Sequence, residues 1–264
     1  MKVASDEHHS RVMGSPWDGV YCTRIESSRH YGRHWHDTFG VGYVEHGAQR
    51  SASGRGSVDA YAGDVITTNP GEVHDGRPLG APTRHWCIVY FEPSVLASPM
   101  EITRPVIKDV ELRRALQRLV GRLEGKAQAL ACEEALVEAC ALLLDRHTTR
   151  RPWREASGEV KKVRDRLADD SAAAPTLAEL ASIAGLSRYQ VLRRFEKVYG
   201  VPPHAWLLQR RAERARGLIR EGSGLAAAAA ACGFADQSHM TRVFVRHFGF
   251  TPGAWRKASG RGLQ

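Results

Sequence analysis

The feature that most limits what this chain can fold into is a repeat. "GLSRYQVLRRFEKVYGVPPHAW" (Gly185 to Trp206) and "GFADQSHMTRVFVRHFGFTPGAW" (Gly233 to Trp255) align with one gap, pairing Arg193 with Arg242, Phe195 with Phe244, Gly200 with Gly249, Pro203 with Pro252 and Trp206 with Trp255. The same supersecondary unit therefore occurs twice. In the first copy, "TLAE" is a capping box that starts a helix at Leu177, Gly185 suits a left-handed C-terminal cap, and "SRYQ" is a second capping box that starts a helix at Arg188. Helix, short turn and helix make a helix-turn-helix. In the second copy Leu225 to Cys232 supplies the first helix, Gly233 and Phe234 turn the chain, and Asp236 caps the next. Alanine fills six consecutive positions there, Ala226 to Ala231, which favours the helix but leaves less side chain for its core, so the second unit is expected to be looser.

Charge follows the repeat. Residues 159 to 264 hold 18 Lys+Arg against 9 Asp+Glu, whereas residues 1 to 158 hold 20 of each, so the formal net charge of +9 lies in the C-terminal part. Such asymmetry fits a polyanionic partner for one domain, although basic residues that merely solvate helix faces give the same count. The start, "MKVASDEHHS", has no apolar stretch behind a basic cluster, and no run approaches about 18 apolar residues. No membrane partner and a cytoplasmic location are expected. Five cysteines without CxxC spacing read as reduced, mostly buried small hydrophobes.

The periodicity changes along the chain. From about Tyr21 to Pro93 short β runs such as "FGVGYVEHG", "GDVITTN" and "HWCIVYFEP" alternate with Gly, Pro and Asn, which predicts an all-β barrel or sandwich. Leu112, Leu116, Leu119 and Leu123, then Leu136, Cys140 and Leu143, recur at helical spacing. The expected organisation is mixed: a β domain over 1–105, two amphipathic helices over 106–147, a polar linker at 148–158, and an all-α domain over 159–264 with two helix-turn-helix units.

The segment "GFADQSHMTRVFVRHFGFTPGAWR" resembles the signature of the AraC family of bacterial transcription regulators, and the first unit resembles that family's first helix-turn-helix at the same separation. The resemblance covers about 100 residues. It implies a regulator whose two recognition helices enter successive major grooves about 34 Å apart, joined by a helix near Ala205 to Arg220 of roughly 24 Å. The positions matching the family's base readers are Arg188, Tyr189, Leu192 and Arg193 in the first helix and Gln237, Ser238, Thr241 and Arg242 in the second. Arg suits guanine, Gln suits adenine, and Tyr189 and Leu192 can touch a thymine methyl. For each the alternative is a phosphate contact or a solvated surface chain. Arg210, Arg211, Arg214 and Arg246 are better suited to phosphate.

The family commonly places a small cupin-like barrel ahead of this domain, and "HWH" (His34 to His36) and "GDVITTNPGEVH" (Gly63 to His74) resemble the two cupin motifs. The carboxylate of the first motif is missing, because Gly40 or Val41 stands where its Glu would be and Glu45 is out of place. His34, His36 and His74 therefore remain open to three readings: lining a pocket for a small polar effector, structural hydrogen bonding at the barrel mouth, or holding a metal. Trp86, Ile88 and Tyr90 alternate along one strand and face one side, as pocket wall or as plain core. The favoured function is a ligand-responsive transcription regulator that binds double-stranded DNA, is no enzyme, carries no cofactor, dimerises through the 106–147 helices and can contact RNA polymerase. The alternative is a metal-dependent cupin enzyme or metal sensor fused to a DNA-binding domain.

Overall fold

Glycine-punctuated strands build the N-terminal half. In chain order they are β1 (His8–Gly14), β2 (Val20–Ser27), β3 (Tyr31–His34), β4 (Phe39–His46), β5 (Ala48–Ser53), β6 (Gly56–Tyr61), β7 (Val65–Thr68), β8 (His74–Pro78) and β9 (Arg84–Phe91). Two-residue strands follow, β10 (Glu101–Ile102) and β11 (Val106–Ile107), then helices α1 (Val110–Glu124) and α2 (Ala129–His147), and β12 (Thr148–Thr149). A computed structural model describes residues 7–96, 100–125, 128–149, 158–169 and 174–260. The chain divides into two compact units: Met1–Gly32 with His36–Trp153, and Arg33–Trp35 with Arg154–Gln264.

A six-stranded sheet runs β1-β2-β9-β4-β7-β11 and a four-stranded sheet runs β3-β8-β5-β6. Alternation fixes which residues face where. Phe39, Val41 and Tyr43 of β4 join Cys87, Val89 and Phe91 of β9 in one core with Leu112, Leu116, Leu119 and Leu123 of α1. The other face carries Ile25, Val44, Ile66 and Trp86. Register places Gly42 and Thr23 beside Ile88 and Gly40 beside Tyr90. A glycine is required at position 42, where a Cβ would lie 1.9 Å from the Cys87 carbonyl oxygen.

Two boundaries differ from expectation. Val106 and Ile107 pair with Ile66 and Val65, so helix begins only at Val110, where Asp109 caps it by accepting from the Glu111 and Leu112 amides at 2.9 and 3.0 Å. A helical period read from Leu112 onward could not show that two preceding residues complete a sheet. Thr148 and Thr149, expected in a linker, pair with Ile102 and Glu101. Residues 150–157 lie outside the described ones. All five cysteines are free, and burial pushes the Cys87 thiol up to about 12, which leaves it protonated and inert.

The second half is helical: α3 (Glu159–Asp169), α4 (Leu177–Ala184), α5 (Arg188–Tyr199), α6 (Pro203–Arg220), α7 (Leu225–Ala231), α8 (Gln237–Phe248) and α9 (Pro252–Ser259). Both sequence-read capping boxes form, Thr176 with Glu179 and Ser187 with Gln190. The repeated glycines Gly200 and Gly249 end α5 and α8 in the left-handed region, at φ 73° and 77°, which explains why the repeat keeps glycine there. Helix α6 starts at Pro203, two residues before the expected Ala205; proline is tolerated in a first turn, where its missing N–H costs nothing. Of the six alanines, Ala228 and Ala229 face inward and the other four are exposed. No helix of the described residues is long and apolar enough to cross a membrane.

Candidate nucleic-acid interface and effector face

The helical unit presents two matching surfaces. Ser187 and Asp236 cap α5 and α8 with their side chains, so the first turn of each helix begins at a fixed residue. Phe195 and Phe244 are fully buried one turn further on. That inward anchoring turns the opposite side out. Arg188, Tyr189, Leu192 and Arg193 are exposed on α5, Tyr189 at 70%, and Gln237, Ser238 and Arg242 are exposed on α8. Thr241 is half-buried and its hydroxyl donates to the Gln237 carbonyl at 2.9 Å.

The arginines differ in setting. Arg214 and Arg246 are exposed and Arg210 is half-buried. Arg211 is buried at 7%, which removes it from the expected phosphate contacts: a guanidinium enclosed by protein does not reach a DNA backbone. Helical spacing alone placed Arg210 and Arg211 together, but they point 100° apart. Sequence reading also missed Arg216. Its Nε donates to Glu213 Oε2 at 3.0 Å, its guanidinium lies 5.4 Å from the Trp255 ring centroid and 5.8 Å from that of Phe248, and the Trp255 indole N–H donates to its carbonyl at 2.9 Å. Glu at position i−3 of α6 was the available signal.

His34 ends β3 and falls in the second compact unit, whereas His36 and His74, which opens β8, fall in the first. The His36 and His74 ring centroids lie 5.3 Å apart. The His74 Nδ1–H donates to the Glu72 carbonyl at 2.9 Å, which fixes the tautomer. Burial lowers the His74 pKa, against the opposing pull of the Glu72 carbonyl and the Glu72 and Asp75 charges. The ring is neutral near pH 7. The His36 ring meets the Tyr90 ring edge-on at 5.6 Å, and Tyr90 stacks on Tyr21 at 4.7 Å.

The loop that delivers His74 is held by its own motif. Burial pushes the Glu72 carboxyl up, but the Arg55 fork at 2.8 and 2.6 Å and the Asn69 amide at 3.1 Å outweigh it and hold it below the usual carboxylate range. Asn69 in turn accepts from the Ile102 amide at 2.8 Å and donates to its carbonyl at 3.1 Å. In "NPGEVH", Asn69 and Glu72 are thus structural and fix the loop that leads into His74 at the start of β8. Glu45 lies 3.4 Å from Arg24 in an ion pair and does not join the histidines' ligand-forming group.

Comparison with known proteins decides what these two halves are. Residues 19–140 match the model of the AraC-like ligand binding domain, and residues 180–258 match a helix-turn-helix domain. The uncharacterized HTH-type transcriptional regulator YbfI of Bacillus subtilis (strain 168) is 29% identical over 78% of this chain and 80% of its own. The chain belongs to the AraC family. The transcriptional activator NphR of Rhodococcus sp is 38% identical over 33% of this chain and 26% of its own length, so that likeness is partial. ToxT from Vibrio cholerae O395, 12% identical, superposes over 98% of this chain and 99% of its own with a TM-score of 0.52, which speaks for the fold alone.

For an AraC-family chain the split of chemistry is plain: a ligand-binding β unit and a DNA-binding helical unit, together a ligand-responsive, sequence-specific transcription regulator. Trp86 and Tyr90 are each 6% exposed, whereas Ile88 between them on the same face is half-buried. Arg84 also belongs to this row, two residues before Trp86, and the sequence reading passed over it. The signal was the same alternation that grouped the other three.

Proposed function

We propose that binding of a small effector to the β unit, with His34, His36, His74, Trp86, Ile88 and Tyr90 as its contacts, changes how the helical unit engages DNA. Helices α5 and α8 enter successive major grooves. Arg188, Tyr189, Leu192 and Arg193, and Gln237, Ser238, Thr241 and Arg242, read base edges, while Arg210, Arg214 and Arg246 take phosphates. The observation that carries this reading is that equivalent positions follow the side-chain N-cap of both helices, exposed at Arg188, Tyr189, Leu192 and Arg193 and at Gln237, Ser238 and Arg242, while the equivalent Phe195 and Phe244 are buried. At 18 residues, α6 is about 27 Å long and sets the separation of the two units.

The partner is double-stranded DNA, and the site of action is the cytoplasm, where that DNA lies. A homodimer through α2 is supported by a stripe of exposed Leu130, Val137 and Leu144, spaced by seven residues. RNA polymerase is a further partner once DNA is bound. The histidines are assigned to effector contact, and no catalytic metal is assigned to them, because the first motif lacks the carboxylate that completes a cupin metal set. No catalysis is assigned to this chain.

The full chain is expected to bind duplex DNA selected from a random pool, with log affinity falling linearly in log salt by roughly 0.9 per phosphate contacted. No selected sequence, or no salt dependence, would overturn the reading. Elemental analysis of untagged protein purified without chelator tests the other half: one tightly held Fe, Mn, Ni or Zn per chain, lost in His74→Ala, revives the metal sensor.

A further inference from the structure

The inner row of β9 reads Arg84, Trp86, Ile88, Tyr90, because residues two apart share a sheet face. Its first member is unusual. Arg84 is only 2% exposed, yet among the described residues no carboxylate pairs with it. Its Nε donates to the Gln49 side-chain carbonyl at 3.2 Å and its Nη1 to the Arg29 backbone carbonyl at 3.1 Å, and both acceptors are uncharged. Its Nη2 makes no hydrogen bond among the described residues. That nitrogen lies over β8 at Gly76, where an added Cβ would come within 3.4 Å of it.

Aromatic rings hold the guanidinium in place, Trp86 at 4.6 Å and Tyr31 at 5.8 Å from ring centroid to Cζ. These contacts offset part of the cost of taking a cation out of water but supply no negative charge. Burial lowers the Arg84 pKa to about 10, so the group is still cationic at neutral pH. Elsewhere in this unit Arg50 is neutralised by Asp59 at 2.7 Å and Arg55 by Glu72 at 2.6 Å. Arg84, far more deeply buried than either, has no such counter-charge.

Further along the row the face opens. Ile88 keeps partial exposure between two buried aromatic neighbours. Its partner across β4 is Gly42, and that of Tyr90 is Gly40, so β4 places no side chain beside either of them on this face. A charged anchor, an indole, a reachable aliphatic surface and a polar end made by Tyr90 and His36 therefore follow one another along one strand.

We propose that the effector of this regulator is an organic monocarboxylate with an apolar body, whose carboxylate pairs with Nη2 of Arg84 and whose body lies on Trp86 and Ile88. This rests on the ligand-responsive reading given above and names its chemical class. One uncommitted amino group with one positive charge matches a monoanion and not a phosphate dianion, and a flat indole beside it favours an aromatic or aliphatic chain over a sugar. Arg84 then serves as the charge anchor, and the histidine end sets the length or polarity of the ligand's far end.

The test uses the full chain and three matched pairs: phenylacetate and phenylacetamide, 3-phenylpropionate and its amide, octanoate and octanamide. At least one acid is expected to raise Tm by about 3 °C at ten times its Kd, with no shift from its amide. Arg84→Met should weaken that acid by about tenfold or more, and Arg84→Lys, which keeps the charge but loses the fork, should fall between. DNA binding by all three proteins is measured in parallel. No binding by any acid, equal binding of an acid and its amide, or unchanged affinity in Arg84→Met overturns the assignment. The acid–amide comparison needs no variant and decides the matter even if Arg84→Met does not fold. Intact DNA binding with no acid response removes the carboxylate class and leaves the regulator standing; loss of DNA binding by the unaltered chain removes the regulator itself.

Discussion

The two helix-turn-helix units have the same plan and different sources of stability. In the first, both helices start with reciprocal capping boxes and α4 ends on a left-handed glycine, so local chemistry specifies the turn. In the second, α7 starts at Gly224 with no side-chain cap and is built of Leu225 and six alanines. What replaces the caps is tertiary. Phe244 meets Phe248 at 4.5 Å and Phe250 at 5.8 Å, Phe250 meets Trp255 at 6.0 Å, and the Arg216–Glu213 pair closes over two of these rings. The first unit's leading helix is fixed by its own ends, whereas the second unit, whose leading helix has no side-chain cap, relies on the aromatic back of α8; α5 and α8 are themselves both capped.

If that contrast is right, the largest effect belongs to the aromatic cluster. Phe244→Ala should destabilise the helical unit by about 3 to 5 kcal/mol in urea unfolding, because it empties a fully buried ring position. A loss below about 1 kcal/mol would mean that the second unit does not depend on its back. Acid should also separate the units. Burial, aided by the neighbouring Arg246 charge, lowers the His247 pKa from 6.5 to about 4. The unfolded chain then takes up the proton first, so stability is full above pH 6.5 and falls as pH drops toward 4, by about 1 to 3 kcal/mol. The equivalent position in the first unit is Val198, which is exposed and cannot titrate. His247→Val should reduce the slope between pH 6.5 and 4 in pH-dependent thermal melts.

Recognition gives a subtler contrast. Arg242→Ala should cost about 1 to 3 kcal/mol at one base pair and leave other positions unaltered, whereas Arg214→Ala should weaken all sequences alike and reduce the salt slope by about 1, both read by binding to a panel of single-base variants. Equal, sequence-blind losses would break the sorting of base from phosphate contacts. The smallest effects are at the caps: Ser187→Ala and Asp236→Ala should each cost about 1 kcal/mol in the same unfolding assay.

Most of the architecture was legible because it is local or periodic. Capping boxes, the glycines after α5 and α8, and the leucine rows of α1 are written in neighbouring residues, and each appears where its spacing puts it. What escaped depends on partners far along the chain. Nothing near Val106 shows that Ile66 will pair with it, and nothing near Arg211 shows that it will be buried while Arg214 is exposed. Arg84 escaped for a different reason. It stood in plain alternation with Trp86, but an arginine at a strand's edge reads as solvent-facing until the ring beneath it and the missing carboxylate are seen together.

Helix α6 makes the spacing of its flanking units a quantity that changes only in steps. Each residue inserted between Pro203 and Arg220 would turn everything after it by about 100° and advance it by about 1.5 Å, so a single insertion would swing the second recognition surface away from the duplex face read by the first. Four inserted residues bring it back to within about 40°, now some 6 Å further along, close to the rise of two base pairs. Changes in the length of α6 are therefore tolerated, if at all, only in near-whole turns and only with a matching change in the DNA.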